Sequence, residues 1–274
     1  MAQEKHSSNH GQLLIDAVVA PQDIKYPTDL DLLNKSREHT ETLVDQLWQA
    51  EKGKRKPRTH RQIARKNYFK TALKRRKSKK ELRKSIRKQL GYVHRNLTII
   101  SQLLDGRADN CLPFSKRDLK KYWVVQDVYR QQKQMYDTKS HTVPDRIVSL
   151  SQPHVRPIVR GKAGRDVEFG AKLSVSLVEG YAYLDHLSWD AFNESGDLIV
   201  QIENYYQRFG FYPVSVHADK IFGTRANRHY LKNRDIRFWG KPLGRPPKLS
   251  KEEKRELKKG LSIRNRIEGK FGEG

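Results

Sequence analysis

The sequence holds a single cysteine, Cys111, in 274 residues. That excludes a disulfide framework and any cysteine-cluster zinc site, and it favours a reducing, cytoplasmic compartment. No apolar run approaches the roughly 18 residues of a membrane span. The opening Met1–Gln12 has no apolar segment behind a basic one, so no signal peptide is visible. Acid is scarce as well: 31 Asp and Glu stand against 56 Lys and Arg, a formal net charge of +25. An excess that large argues against an ordinary metabolic enzyme and points to a polyanionic partner. A hydrophobic content of 36% still suffices for a real core, in one large domain or two ordinary ones.

The charge is concentrated. From Lys52 to Lys88 there are 19 Lys or Arg and one acid, Glu81, a net +18. Such a density of like charge repels itself unless phosphate neutralises it. The stretch is therefore a candidate DNA- or RNA-contacting segment, with Arg75, Arg76, Lys79, Lys80 and Arg83 at its densest part. The alternative is the solvated face of a helical hairpin. Leu82, Ile86, Leu90, Val93, Leu97, Ile100 and Leu104 recur at spacings of 4, 4, 3, 4, 3 and 4, a helical stripe near an a/d seam. Ile63, Tyr68, Phe69, Ala72 and Leu73 fit a second helix less cleanly.

Around this block the pattern alternates between strand and helix. Gln12–Val19 is an apolar run that suits a buried strand, yet it contains Asp16, which needs a partner or a metal there. Helical patterns cover about Asp29–Gln49 and Lys116–Tyr136. Residues 167–177 alternate with a period of two as a half-buried strand, and Glu179-Gly180 turns the chain into a second run through Tyr181, Tyr183, Leu187 and Trp189. An amphipathic helix from Leu198 to Phe209 ends at Gly210, and a short strand at Pro213–Ala218 delivers Asp219. Ile221–Asn233 reads as helix and Ile236–Trp239 as extended chain. Gly240–Pro247 is too punctuated by Pro and Gly for regular structure, so Gly244-Arg245-Pro246 reads as linker before it reads as a minor-groove hook. Ser250 with Glu253 is a capping box opening a last helix, interrupted at Gly260. The divisions are 1–28 with the first strand, a basic all-helical stretch 29–140, residues 141–240, a linker 241–249, and a final helix 250–274.

Three acids stand where a two-metal phosphoryl-transfer site needs them: Asp16 within a strand, Asp219 at the mouth of another, and Glu268 on the last helix. Hard divalent cations take oxygen ligands, which accounts for carboxylates rather than His or Cys. For each acid the competing role is a cap, a surface ion pair or a turn. Asp23 and Asp29 fit caps, and His217 fits packing behind Asp219. Trp189 and Trp239 fit the core. Arg156, Arg160 and Lys162, in the loop PHVRPIVRGK, could touch phosphate or remain solvated.

The local sequences resemble a known family. LLIDAVVAPQDIKYPTDLDLLN is similar to the block around the first catalytic Asp of DDE-type transposases of bacterial insertion sequences. HADKIFGTRANRHYLKNRDIR resembles their second-Asp block, and GRPPK followed by RNRIEGKFGEG their third, with Arg264 four residues before Glu268. VRPIVRGKAGRDVEFGAKLSVSL and LSWDAFNES resemble segments between the acids. The resemblance implies the triad Asp16, Asp219 and Glu268, with Asp16 bridging two Mg²⁺ ions (Mn²⁺ as substitute) and Arg264 as a basic companion facing DNA phosphate, the alternative for Arg264 being an intrahelical ion pair with Glu268 one turn away. It implies an α/β fold with an RNase H-like core, a mixed sheet with flanking helices, interrupted by the basic helical insertion. The partners are then DNA, at element ends and target, and a second copy in a homodimer on it, with no membrane. The place is the nucleoid. The family pattern has a Tyr three residues before the Arg, where this chain has Leu261, and a Lys seven after the Glu, where the chain ends at Gly274. With some 15 residues before Asp16, the resemblance implies a fragment of a longer transposase. The alternatives are a non-catalytic DNA-binding descendant and an RNase H-like nuclease that hydrolyses without joining.

Overall fold

The computed structural model describes residues 8–24, 28–50, 55–106, 112–159, 167–241, 244 and 250–271. Arg160, Lys162 and nearly all of the 241–249 linker lie outside the described residues. The chain forms two compact units, Met1–Gln22 with Pro157–Gly274, and Asp23–Arg156. No helix among the described residues is long and apolar enough to cross a membrane.

The first unit is of the α/β class, a mixed sheet with flanking helices. Its strands are β1 (Gln12–Pro21), β2 (Arg156–Val159), β3 (Val167–Val178), β4 (Tyr181–Ser188), β5 (Ser215–His217) and β6 (Arg237–Trp239). They run in the order β2-β3-β1-β5-β6, with β4 also paired to β3. β1 is antiparallel to β3, with Asp16 opposite Val175, and parallel to β5, with Leu14 opposite His217. β5 and β6 are parallel too. The helix α5 (Asp197–Phe209) connects β4 to β5. Gly210, at φ 78°, stops it by donating its N–H to the Tyr206 carbonyl.

Both faces of the sheet are covered, and the pleat of β1 explains which residue goes where. Leu13 and Ile15 point to one face with Val216, against Leu198, Ile202 and Tyr205 of α5 and Leu231 of α6 (Arg225–Asn233). Each fully buried aliphatic chain there contributes about 1.5–3 kcal/mol. Leu14 points the other way, with Leu177, against Ile267 of α8 (Asn265–Phe271). The polar positions of β3 are not solvated as their alternation suggests. Ser174 and Ser176 are fully buried on the α5 side, and Ser174 donates to the Asp197 carboxylate. The solvated apolar residues are on β4 instead, where Tyr181, Leu184 and Leu187 are exposed along an edge strand.

Three other expectations need correction. The PHVRPIVRGK loop contains strand β2, because Val155 and Ile158 are buried and the chain pairs with β3. The 221–233 helix begins at Arg225, because Thr224 caps it by accepting from the Asn227 N–H. Gly260 does not interrupt the last helix: α7 (Lys251–Ile263) runs straight through it, behind the Ser250–Glu253 capping box, and the break comes at Arg264 before α8.

The second unit consists of α1 (Asp29–Ala50), α2 (Arg61–Ala72), α3 (Lys79–Asp105) and α4 (Lys116–Thr138). Ser78 and Glu81 form a capping box that starts α3 beyond the basic turn. The α3 stripe is real: Leu90, Val93 and Ile100 are buried against Leu33, Leu43, Val44 and Leu47 of α1 and Val125 of α4. Arg37 is 1% exposed, bonded to Glu41 at 2.6 Å and Asn34 at 2.8 Å. Asp29 opens α1 and receives Gln132 at 2.8 Å and Arg146 at 2.6 Å.

Candidate active site

Parallel pairing carries the key geometry. Leu14 and His217 are partners on β1 and β5, on the face covered by α7 and α8. Two residues further along each strand, the next positions on that face are Asp16 and Asp219. Asp16 is still inside β1, and Asp219 stands just past the end of β5. The Asp219 side chain is exposed at the start of a short 3₁₀ turn and accepts the Lys220 N–H at 2.6 Å.

Glu268 comes to Asp16 through Arg264. The guanidinium donates Nη1 to Asp16 Oδ2 at 3.2 Å and Nη2 to Glu268 Oε1 at 2.7 Å. The Arg264–Glu268 pair is one helical turn long, while the Arg264–Asp16 pair joins the last helices to the first strand. Burial pushes the Asp16 carboxyl above the usual aspartate range, and the nearby charges of Glu194 and Glu268 push it further. The Ala17 N–H and the Arg264 guanidinium act against that rise.

The last helices are anchored beside the site by His217. Its Nδ1 donates to the Gly260 carbonyl at 2.7 Å, so Nε2 is free to accept from the Ser215 hydroxyl at 3.1 Å. Its ring stacks on Trp239 at 6.1 Å between centroids. Burial depresses the imidazole below its ordinary range, with Arg266 adding to the effect. Trp239 lies against Gly260 so closely that a Cβ there would be 2.1 Å from Cε3. Both residues are packing elements.

Sequence reasoning missed Glu194. It lies in the short 3₁₀ turn Glu194–Gly196 between β4 and α5, and its charge acts on Asp16 while Lys172 binds it at 2.8 Å. No spacing rule points to it. Among the described residues no group of three or more His, Cys, Asp or Glu is drawn together tightly enough to hold a metal ion as it stands.

The basic residues are partly available. Arg75, Arg76, Lys79 and Lys80 are exposed around the turn between α2 and α3. Arg83 is half-buried, with its guanidinium over the Tyr136 ring at 4.0 Å. Arg156 begins β2 and donates to the Pro153 and Val155 carbonyls.

Residues 216–274 match a family model described as a transposase DDE domain. No curated protein matches the chain, and no solved structure does. The matched stretch includes Asp219, Arg264 and Glu268. Over that stretch the chain is similar to a transposase DDE domain, a nucleic-acid-processing family.

Proposed function

We propose that this chain is the catalytic region of a metal-dependent DNA transposase, cleaving element ends and joining them to a target. One observation carries the reading: Asp16 and Asp219 each lie two residues beyond the paired Leu14 and His217, Asp219 just past the end of β5, and Glu268 shares a cation with Asp16. The strand order supports an RNase H-like core, since β4, β3 and β1 form an antiparallel meander and β5 and β6 continue it in parallel.

In donor chemistry the three acids suit a hard divalent cation, since they offer carboxylate oxygens alone, and two of them share one guanidinium. Asp16, Asp219 and Glu268 would hold the ions, which would supply activation of an attacking water or 3′-hydroxyl and charge stabilisation of the leaving oxygen at phosphorus. The protein's own part is positioning. β1 carries Asp16, the end of β5 delivers Asp219, and the His217–Gly260 bond and the Trp239 contact hold α7, which leads into the helix that carries the third acid. Arg75, Arg76, Lys79, Lys80 and Arg83 would neutralise backbone phosphates, which positions DNA without reading its sequence. Arg156, with Arg160 and Lys162 from outside the described residues, belongs to the same proposal.

Asp219→Asn tests it. Cleavage and joining of element-end DNA in Mg²⁺ should fall to background, while affinity for that DNA stays within about twofold. Hydrolysis without joining by the wild type would favour a nuclease. Absence of any metal-dependent cleavage, with binding intact, would favour a non-catalytic binder.

A further inference from the structure

We infer that α3 enters the major groove of double-stranded DNA, with Gly91 at the closest approach and Arg87 and Arg95 reading base edges on either side of it. The inference rests on the proposed DNA partner and deepens it: the residues around the α2–α3 turn neutralise phosphate, whereas this face reads sequence. It needs neither the acids nor a metal.

The helical period builds the face. At about 100° per residue, Lys80, Lys84, Arg87, Lys88 and Arg95 all fall within about 60° of Gly91, and all six residues are exposed. Val93 and Ile100 point the opposite way, into the contacts with α1 and α4. Between Glu81 and Asp105 the helix holds no acid, and Lys84 and Arg87 have no side-chain partner among the described residues. One flank is fixed by α2, where Asn67 accepts from Lys88 Nζ at 3.2 Å and donates to the Tyr92 hydroxyl at 2.9 Å.

Gly91 has no explanation inside the chain. After proline, glycine is the least favourable residue for a helix interior, yet α3 runs on through it to Asp105. Gly260 is required by the indole of Trp239 lying against it, but a Cβ at Gly91 would meet no atom within 4 Å. The missing side chain therefore matters to something outside the chain. With bare backbone there, a ligand comes closer to the helix axis than any side chain would allow. The concave stretch at this point is lined by Lys84, Arg87, Lys88, Tyr92 and Arg95, so the ligand is an anion.

Duplex DNA fits that face. Its major groove, about 12 Å wide, admits one helix, and Lys80 to Arg95 is about 22 Å of basic face to lay in it. Arg87 and Arg95 stand about one turn before and one turn after Gly91, roughly 12 Å apart along the axis. Each guanidinium can fork onto the O6 and N7 of a guanine. The two bases read are then within about four base pairs of each other.

The test starts from a pool of DNA duplexes with a randomised centre, from which the whole chain selects its tightest binders. Fluorescence anisotropy then gives affinities for a selected duplex and an unrelated one at several salt concentrations. The proteins are the wild type, Gly91→Ala, Arg87→Lys and Arg95→Lys. The selected duplexes should share a motif with two guanines within about four base pairs. Gly91→Ala should melt at least as high as the wild type, because alanine suits the helix better. It should nonetheless bind the selected duplex at least about fivefold more weakly, because its methyl group overpacks the contact. Each lysine variant keeps the charge but loses the fork. Its preference for the selected over the unrelated duplex should fall about tenfold at an unchanged salt slope. Unchanged affinity in Gly91→Ala would overturn the close approach. Selection without a shared motif, or a preference untouched by both lysine variants, would overturn the reading of bases. An RNA duplex bound as tightly as the selected DNA would overturn it too, since the A-form major groove is too narrow to be read. Absence of binding to any duplex would overturn the DNA partner itself. Should Gly91→Ala melt lower, the lysine variants decide alone.

Discussion

Replacing Gly260 by alanine sets two physical effects against each other, and the structure decides the sign. Gly260 is inside α7, where alanine ordinarily stabilises by about 0.8–1.0 kcal/mol. A Cβ at this position, however, would fall 2.1 Å from Trp239 Cε3 and 2.2 Å from Cδ2. Neither side of that contact yields easily, since the indole is itself stacked on His217, which is fully buried. Overpacking of this kind costs about 1–3 kcal/mol. Pushing α7 away also lengthens the 2.7 Å bond from His217 to the Gly260 carbonyl, and an unsatisfied buried donor costs about 1–3 kcal/mol more. The net expectation is a loss of about 2–4 kcal/mol in Gly260→Ala. Urea unfolding followed by circular dichroism measures it, as a lower midpoint with an unchanged slope. Adding Trp239→Leu should recover part of the loss, because the clash is between those two groups. A Gly260→Ala protein as stable as the wild type, or more so, would refute the close packing of α7 on β6 and with it the anchoring of the third acid.

Two further expectations concern the buried polar groups. Arg37→Ala leaves Glu41, whose side chain is 8% exposed, without its partner, and should lower stability by about 3–5 kcal/mol; in thermal melts the double change Arg37→Met with Glu41→Met should cost much less, and equal costs would contradict the pairing. His217 and His39 are both held below the ordinary imidazole range by burial, so the folded chain binds fewer protons than the unfolded one near pH 6. Their contribution is therefore complete above about pH 6.5 and is lost as the pH falls through the depressed values, so urea midpoints should drop between pH 7 and 5.5, and drop less in His217→Gln.

The sequence reveals elements best where one physical signal dominates. The apolar run of β1, the stripe of α3 and the Gly210 stop of α5 each follow from burial or from a backbone requirement, and each stands where its pattern puts it. The signal weakens where tertiary context overrides period. Ser174 and Ser176 look solvated because they are polar, but α5 covers them, and Asp197 supplies a partner to Ser174. Tyr181 and Leu187 look half-buried from their alternation, but their strand is at an edge and both are exposed. In α2, Ile63, Phe69 and Leu73 are exposed, which is why its periodicity was poor. Pro157 hides β2 among loop residues. At the candidate site, Asp16 was legible because an acid inside an apolar strand demands an explanation. The forked Arg264 was only half legible, since helical spacing gives its Glu268 arm but no local rule gives an arm to a residue 248 positions away. Glu194 acts through space alone and leaves no pattern.

The long excursion between the first strand and its partners has a consequence for how the molecule is made. Leu14 pairs with Leu177 and with His217, so β1 leaves the ribosome well over a hundred residues ahead of either neighbour. At synthesis rates of about 5–20 residues per second, the wait is roughly 10–40 s. Throughout it an apolar ribbon with two open edges is exposed, the kind of segment that recruits other chains. The helices that follow depend on nearer contacts and can fold during the delay, surrounding the nascent chain with like charge. The +18 stretch from Lys52 to Lys88 lies within that block, so its charge is in place well before the sheet closes.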